Sequence, residues 1–108
     1  MVDYNKLEIA EAKHIGATAH PNSGRGTKKG DASYPGITID FKFGEKSFTF
    51  SKDVWRKICA DAYSNHQSPA INIVMGAQDE KKTRLWVIDN GLFQEMREAW
   101  MEKYEGNV

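Results

Sequence analysis

The sequence has a single cysteine, Cys59, in 108 residues, so no disulfide can form within the chain. A lone thiol is typical of a reducing compartment, and the N-terminal residues are too polar to resemble a secretion signal. No apolar run approaches the roughly 20 residues that a membrane-spanning helix needs. These absences predict a soluble, cytoplasmic protein that does not enter a membrane.

An excess of charge of one sign is also missing, because 15 basic and 15 acidic residues give a formal net charge of zero. The whole chain is therefore no polycation, and a nucleic-acid surface would have to be local. Residues 12–30 contain no aspartate or glutamate, which marks one such region. Its basic residues are Lys13, Arg25, Lys28 and Lys29, and His14 and His20 can add charge.

The residues that are present suffice for one folded domain over 1–108, since 40% are hydrophobic and 11% aromatic. Periodicity and capping residues predict helices over 4–15, 52–65 and roughly 91–104, with N-caps at Asp3, Ser51 and Asp89 or Asn90. The predicted strands are 17–20, 37–43, 46–50, 70–76 and 83–88, with 37–43 and 46–50 forming a hairpin. The glycine-rich segment 20–30 is predicted to be a mobile basic loop.

This order of elements predicts an α/β fold with a mixed central sheet of about four to five strands, flanked by three helices. Asp40 and Lys42 lie two residues apart on the strand over 37–43, so both side chains project from one face. Asp31 ends the basic loop just before that strand, and Glu8 or Glu11 can supply a further carboxylate from the first helix. A solvated strand face beside a flexible loop is the alternative interpretation of the same pattern.

Carboxylates that converge with a lysine form a site of hard oxygen ligands suited to Mg²⁺. Such a site can polarise a phosphodiester and lower the pKa of a metal-bound water. A basic loop beside it suits a polyanionic substrate. The arrangement is compatible with phosphodiester hydrolysis, but a D-x-K triplet alone is common by chance, and a solvated flexible loop is the more common outcome for such a basic segment.

The segments "SGRGTKKGD", "ITIDFK" and "KSFTFSKDVWRKICADAYSNHQSPAINIVMG" follow one another between Ser23 and Gly76. Together they resemble the PD-(D/E)xK nuclease superfamily, and most closely the small Holliday-junction-resolvase-like nucleases, including those of phages. The resemblance covers roughly residues 6–76. It implies a restriction-endonuclease-like core for the predicted sheet.

The resemblance also implies roles for particular residues. Asp31 and Asp40 would bind the metal, Lys42 would be the catalytic lysine, and Glu8 would be the helical glutamate, with Glu11 as its alternative. Ser23 would lie near the scissile phosphate and join the catalytic set. Asp40 departs from the pattern, because the resolvases have glutamate there, and the shorter side chain can change metal geometry or preference. The expected DNA-binding residues are Ser23, Arg25, Lys28, Lys29 and His20.

We therefore expect a Mg²⁺-dependent DNA endonuclease, with Mn²⁺ able to substitute, that acts on branched or structured DNA as a homodimer. Phe93, Trp100 and Met101 of the last helix are candidates for the dimer surface. The alternatives are a nicking or flap nuclease of the same fold, and a catalytically silent nucleic-acid-binding or host-directed interaction protein. Convergence of Asp31, Asp40 and Lys42 would favour an enzyme, and divergence would favour a binding protein.

Overall fold

The computed structural model describes residues 3–21 and 28–106. Within them the chain forms a five-stranded mixed sheet and three helices, which confirms the predicted α/β class. The elements in chain order are α1 (Tyr4–His14), β1 (Thr18–Ala19), β2 (Ala32–Tyr34), β3 (Ile37–Gly44), α2 (Lys52–Ser64), β4 (Ser68–Met75), β5 (Thr83–Ile88) and α3 (Asn90–Glu105).

The strands lie in the order β1-β2-β3-β4-β5. Only β3 and β4 run parallel among these strands, and α2 provides the crossover that a parallel pair requires. In this register Asp40 lies opposite Ile71 and Lys42 lies opposite Ile73. Both polar residues therefore lie on the parallel pair of strands at the centre of the sheet.

Each helix begins at a residue whose side chain accepts a hydrogen bond from the backbone amide three residues further on. These N-caps are Asp3 for α1, Ser51 for α2 and Asp89 for α3. An oxygen at this position satisfies one of the unpaired amides of the first turn. The three predicted helices are confirmed, and Asp89 rather than Asn90 caps the last one.

The two faces of the sheet carry separate hydrophobic clusters. The cluster under α1 contains Ala12, Ala32, Ile39, Phe41 and Val74. The cluster under α2 contains Ile58, Ile71 and Ile73, with Val54 and Trp55 packed against it. Because side chains alternate along a strand, Asp40 and Lys42 lie on the α2 side of β3.

The predicted strand over 46–50 is wrong, since residues 47–50 form neither helix nor strand. On one edge β3 pairs with β4 along its length, while on the other edge β2 pairs only with residues 37–39 and the Asp31 carboxylate accepts from the amide of Phe41. The hairpin partner of β3 is β2, joined to it through a turn in which Gly36 has φ +82°. Phe48 instead packs against the cluster under α2, so its alternation with Phe50 reflects packing outside the sheet.

The last helix leaves its predicted apolar face uncovered by the described residues, because α3 has no buried residue. Phe93 is 51% exposed, Trp100 59% and Tyr104 64%. Trp100 and Tyr104 contact each other along the helix, with ring centroids 5.7 Å apart. None of the helices in the described part of the chain combines the length and apolar content needed to cross a membrane.

Candidate active site

The carboxylate of Asp31 lies where β2 separates from β3. The backbone amide of Asp31 donates to the carbonyl of Ile39 at 2.9 Å, which continues the pairing of the two strands by one bond. Two residues further along β3, the amide of Phe41 donates to Asp31 Oδ2 at 2.8 Å. A side-chain oxygen thus takes the place of a backbone carbonyl, and this bond fixes the carboxylate beside Asp40.

Asp40 and Lys42 form an ion pair on the α2 side of β3, with 2.8 Å between Lys42 Nζ and Asp40 Oδ2. The two side chains are only 15% and 27% exposed, respectively. They lie two residues apart, so both project from one face of a strand that pairs with β4 along its whole length. The structure brings Asp31, Asp40 and Lys42 together, as predicted.

Burial raises the pKa of Asp31 to about 9, and the hydrogen bond and negative charge of Asp40 and the charge of Glu8 act in the same direction. The amide of Phe41 opposes this shift of the pKa without cancelling it. Asp31 therefore holds a proton at neutral pH, and that proton is shared in its contact with Asp40. The cluster has more acidic groups than its surroundings can keep ionised.

Glu8 joins this cluster from α1, since its side chain is hydrogen-bonded to Asp31. Burial raises the pKa of Glu8, and the charge of Asp40 adds to the shift, while the Asp31 hydrogen bond, Lys42 and Lys57 oppose it. Three acidic side chains from a helix, a loop end and a strand therefore meet at one place.

Glu11, the alternative to Glu8, is engaged elsewhere. Its two carboxylate oxygens accept from Arg84 Nε at 2.8 Å and from Arg84 Nη2 at 3.1 Å. This bidentate ion pair ties α1 to β5 and uses the charge of Glu11. The structure thus places Glu8, and not Glu11, with Asp31 and Asp40.

Lys42 stays charged at neutral pH. Burial lowers its pKa, but the hydrogen bond and charge of Asp40, with the charges of Asp31 and Glu8, outweigh burial and raise the pKa overall. A permanently charged ammonium can bind a phosphate oxygen or hold a water through its hydrogens, and it cannot accept a proton from that water.

A divalent cation fits the donor chemistry of this cluster. In residues 3–21 and 28–106, no three histidine, cysteine, aspartate or glutamate side chains are already spaced to hold a metal ion. Asp31 is instead hydrogen-bonded both to Glu8 and to Asp40. Carboxylate oxygens are the ligands that Mg²⁺ prefers, and loss of the shared protons would free them for it.

The predicted loop residues are only partly described. Ser23 and Arg25 lie outside the described residues, while Lys28 and Lys29 have exposed side chains. His20 is half-buried, and both of its ring nitrogens contact protein oxygens: Nε2 lies 2.9 Å from Ser33 Oγ, and Nδ1 lies 3.2 Å from the Lys29 carbonyl. Because these contacts engage both ring nitrogens of His20, they do not favour the predicted DNA contact, which stays a prediction.

Two residues near the site were not among the predicted site residues. Lys57 of α2 is close enough to Glu8 for its charge to lower the pKa of that carboxyl. Asn65, the C-cap of α2, binds the backbone of Lys29. Neither has a sequence signal of its own, because both approach the site only through the packing of α2 on the sheet.

No protein-family model matches the chain, and neither a curated protein nor a solved structure matches it. The resemblance of residues 6–76 to the PD-(D/E)xK nucleases therefore stays a prediction. What the chain can do has to follow from the geometry of its own side chains.

Proposed function

We propose that the protein is a Mg²⁺-dependent DNA endonuclease with a restriction-endonuclease-like core, acting on branched or otherwise structured DNA. The observation that carries this proposal is the meeting of Glu8, Asp31, Asp40 and Lys42 in one half-buried cluster. A structural ion pair needs only one acid for its lysine, and additional buried acids cost stability. Strongly shifted carboxyl groups in such a cluster are typical of a functional site.

The proposed chemistry assigns each side chain a task. Asp31, Asp40 and Glu8 would hold the cation, which when bound would polarise the phosphodiester and acidify a water molecule. Asp31 would give up its proton on binding, because the cation supplies the positive charge that its neighbours lack. Lys42 would orient the attacking water or balance the charge that develops on the phosphate oxygens.

Binding of DNA would rest on its backbone rather than on its bases. Lys28 and Lys29 are exposed next to Asp31, and Arg25 and Ser23 belong to the same predicted basic segment. Contacts of this kind position the phosphate backbone and carry little sequence information. A homodimer would place two such sites on one branched substrate and allow paired cuts.

One observation favours a second candidate, a catalytically silent nucleic-acid-binding protein. Asp40 is paired directly with Lys42 at 2.8 Å, and the carboxylates bond to each other. If that pairing persists when a divalent cation is supplied, the cluster is structural and the basic surface alone acts. The two candidates differ in a single property, which is cleavage of the bound DNA.

The test offers four-way junction, flap, single-stranded and linear duplex DNA with Mg²⁺ or Mn²⁺ to the wild type, to Lys42→Ala and to Lys46→Ala. Lys46 is exposed in the turn after β3 and serves as the matched control. We expect cleavage by the wild type and by Lys46→Ala, and a loss of about 10²-fold or more in Lys42→Ala. Binding without cleavage of any substrate would support the silent candidate instead.

A further inference from the structure

The backbone just before Asp31 is held by a side chain from the end of α2. Asn65 Oδ1 accepts from the amide of Lys29 at 3.2 Å, and Asn65 Nδ2 donates to the carbonyl of Lys29 at 2.9 Å. The Asn65 amide thus binds both polar groups of one residue, as a neighbouring strand would. This pairing joins the C-terminus of α2 to the chain segment that leads into the site.

A chain of hydrogen bonds fixes the orientation of the Asn65 side chain. Thr38 Oγ1, buried in β3, donates to Gln67 Oε1 at 2.7 Å and accepts from Asn65 Nδ2 at 3.0 Å. Because the threonine proton is directed at Gln67, the Asn65 amide must present its nitrogen to Thr38. Its oxygen is then left for the Lys29 amide, which is the arrangement observed.

The side chain of His20 also holds this backbone. Its Nδ1 lies 3.2 Å from the Lys29 carbonyl and 3.3 Å from the Gly30 carbonyl, so this nitrogen donates. Gly30 has φ +83°, and a Cβ there would collide with Thr38 Cγ2. The segment is therefore pressed against β3 in a conformation that suits glycine.

We propose that Asn65 is a positioning residue of the active site, which fixes the Lys29–Gly30 backbone so that the Asp31 carboxylate stays against β3. That this positioning affects metal binding rests on the proposed function. Asp31 is the next residue after Gly30, and its carboxylate reaches the amide of Phe41 at 2.8 Å. Loss of the Asn65 bonds would leave His20 as the only side chain shown to hold this backbone, among the described residues.

Amide hydrogen exchange in the metal-free protein tests the positioning directly. We expect the amide of Phe41 to exchange about tenfold faster in Asn65→Ala, while the amides of β4 serve as an unchanged internal reference. Asn90→Ala, an exposed asparagine on α3, is the matched control. Asn65 has φ −89° and ψ 1°, a negative-φ conformation that alanine can adopt without left-handed strain, so the variant should fold. An unchanged Phe41 amide would overturn the inference.

Calorimetric titration with Mg²⁺ or Mn²⁺ separates this inference from the proposed function. If wild type and Asn90→Ala bind the metal and Asn65→Ala binds about tenfold more weakly, the positioning role and the proposed function are both supported. Equal binding by all three would refute the positioning role and leave the proposed function intact. If the wild type binds no metal but Phe41 exchange still rises in Asn65→Ala, Asn65 positions Asp31 and the proposed function fails. Asn65→Asp, which keeps the acceptor for the Lys29 amide and loses both donors, should give an intermediate exchange rate.

Discussion

The side chain of Asp31 occupies a place in the sheet that a backbone carbonyl normally holds, since its Oδ2 accepts the amide of Phe41. This position puts a carboxyl group between Glu8 and Asp40. At the residue scale, the site therefore combines a fixed location with a group that is hard to ionise. Both properties suit a ligand that becomes charged only when a cation arrives.

The pKa of Asp31 predicts how stability depends on pH. Its pKa is about 9 in the folded protein against an ordinary value of 3.8, so stabilisation by this group is complete below pH 3.8 and is lost as pH rises through about 9. Asp31→Asn removes this ionisation. The melting temperature of the variant minus that of the wild type should therefore increase between pH 5 and pH 9 in the presence of a chelator.

Asp79→Asn is the control for that experiment, because Asp79 lies exposed in the turn between β4 and β5. Its melting temperature should follow that of the wild type at every pH. Parallel curves for Asp31→Asn and the wild type would mean that Asp31 is ionised in the folded protein at neutral pH.

Helix α1 shows how one element sends two similar side chains to different tasks. Glu8 and Glu11 lie three residues apart, yet Glu8 contacts the carboxylates and Glu11 contacts Arg84. The helix itself is held by Ala12, which is fully buried in the cluster under α1. The direction of each glutamate thus follows from how α1 packs on the sheet.

Substituting the two glutamates should separate activity from stability. Glu8→Gln should lower the cleavage rate by roughly 10–100-fold with little change in the free energy of unfolding. Glu11→Gln should lower the free energy of unfolding by about 1–3 kcal/mol, because it weakens a charged hydrogen-bonded pair that is mostly buried. Urea denaturation and single-turnover cleavage measure the two effects, and the reverse pattern would assign the catalytic glutamate to position 11.

Local patterns predicted most elements, and pairing between elements accounts for the failures. The helices follow from their caps and periodicity, and the strand carrying Asp40 and Lys42 follows from its alternation. The segment over 46–50 also alternates, but β2 and the Asp31 carboxylate occupy one edge of β3 as far as Phe41, and Phe48 packs under α2 instead. Strand β2 has only three residues, two of them small, so its pattern is too short to detect.

The candidate site could be predicted from the sequence about as well as the helices and strands could. Asp31, Asp40 and Lys42 are close in sequence, so their meeting follows from strand geometry and a short connection. The choice of Glu8 over Glu11 needed the resemblance, and the contacts of Asn65 and Lys57 depend on how α2 crosses the sheet. Such contacts depend on long-range packing, which local sequence patterns do not predict.

At the scale of the whole molecule, the uncovered face of α3 agrees with the proposed homodimer. Its exposed apolar residues include Phe93, Met96, Trp100 and Met101. Most helical stability comes from packing of an amphipathic face, so covering this face would stabilise α3. Apolar patches of this kind are common at protein interfaces.

Charges placed on this face should prevent dimer formation. We expect the wild type to sediment at twice the chain mass of 12.2 kDa and Phe93→Glu/Trp100→Glu to sediment as a monomer. Glu95→Lys, which changes a charge on the opposite face of the same helix, should remain dimeric. A wild-type protein that is monomeric at every concentration tested would contradict the homodimer, though not the nuclease site.

The most direct test of the central claim is the single-turnover rate of four-way junction cleavage in Mg²⁺ by the wild type, Asp40→Glu and Asp40→Asn. Asp40→Asn preserves the size of the side chain and removes its charge, so we expect its rate to fall by about 10²-fold or more. Asp40→Glu should retain cleavage, because it keeps the carboxylate. Equal rates for the wild type and Asp40→Asn, or no cleavage by the wild type, would contradict the assignment of this cluster as the active site of a metal-dependent nuclease.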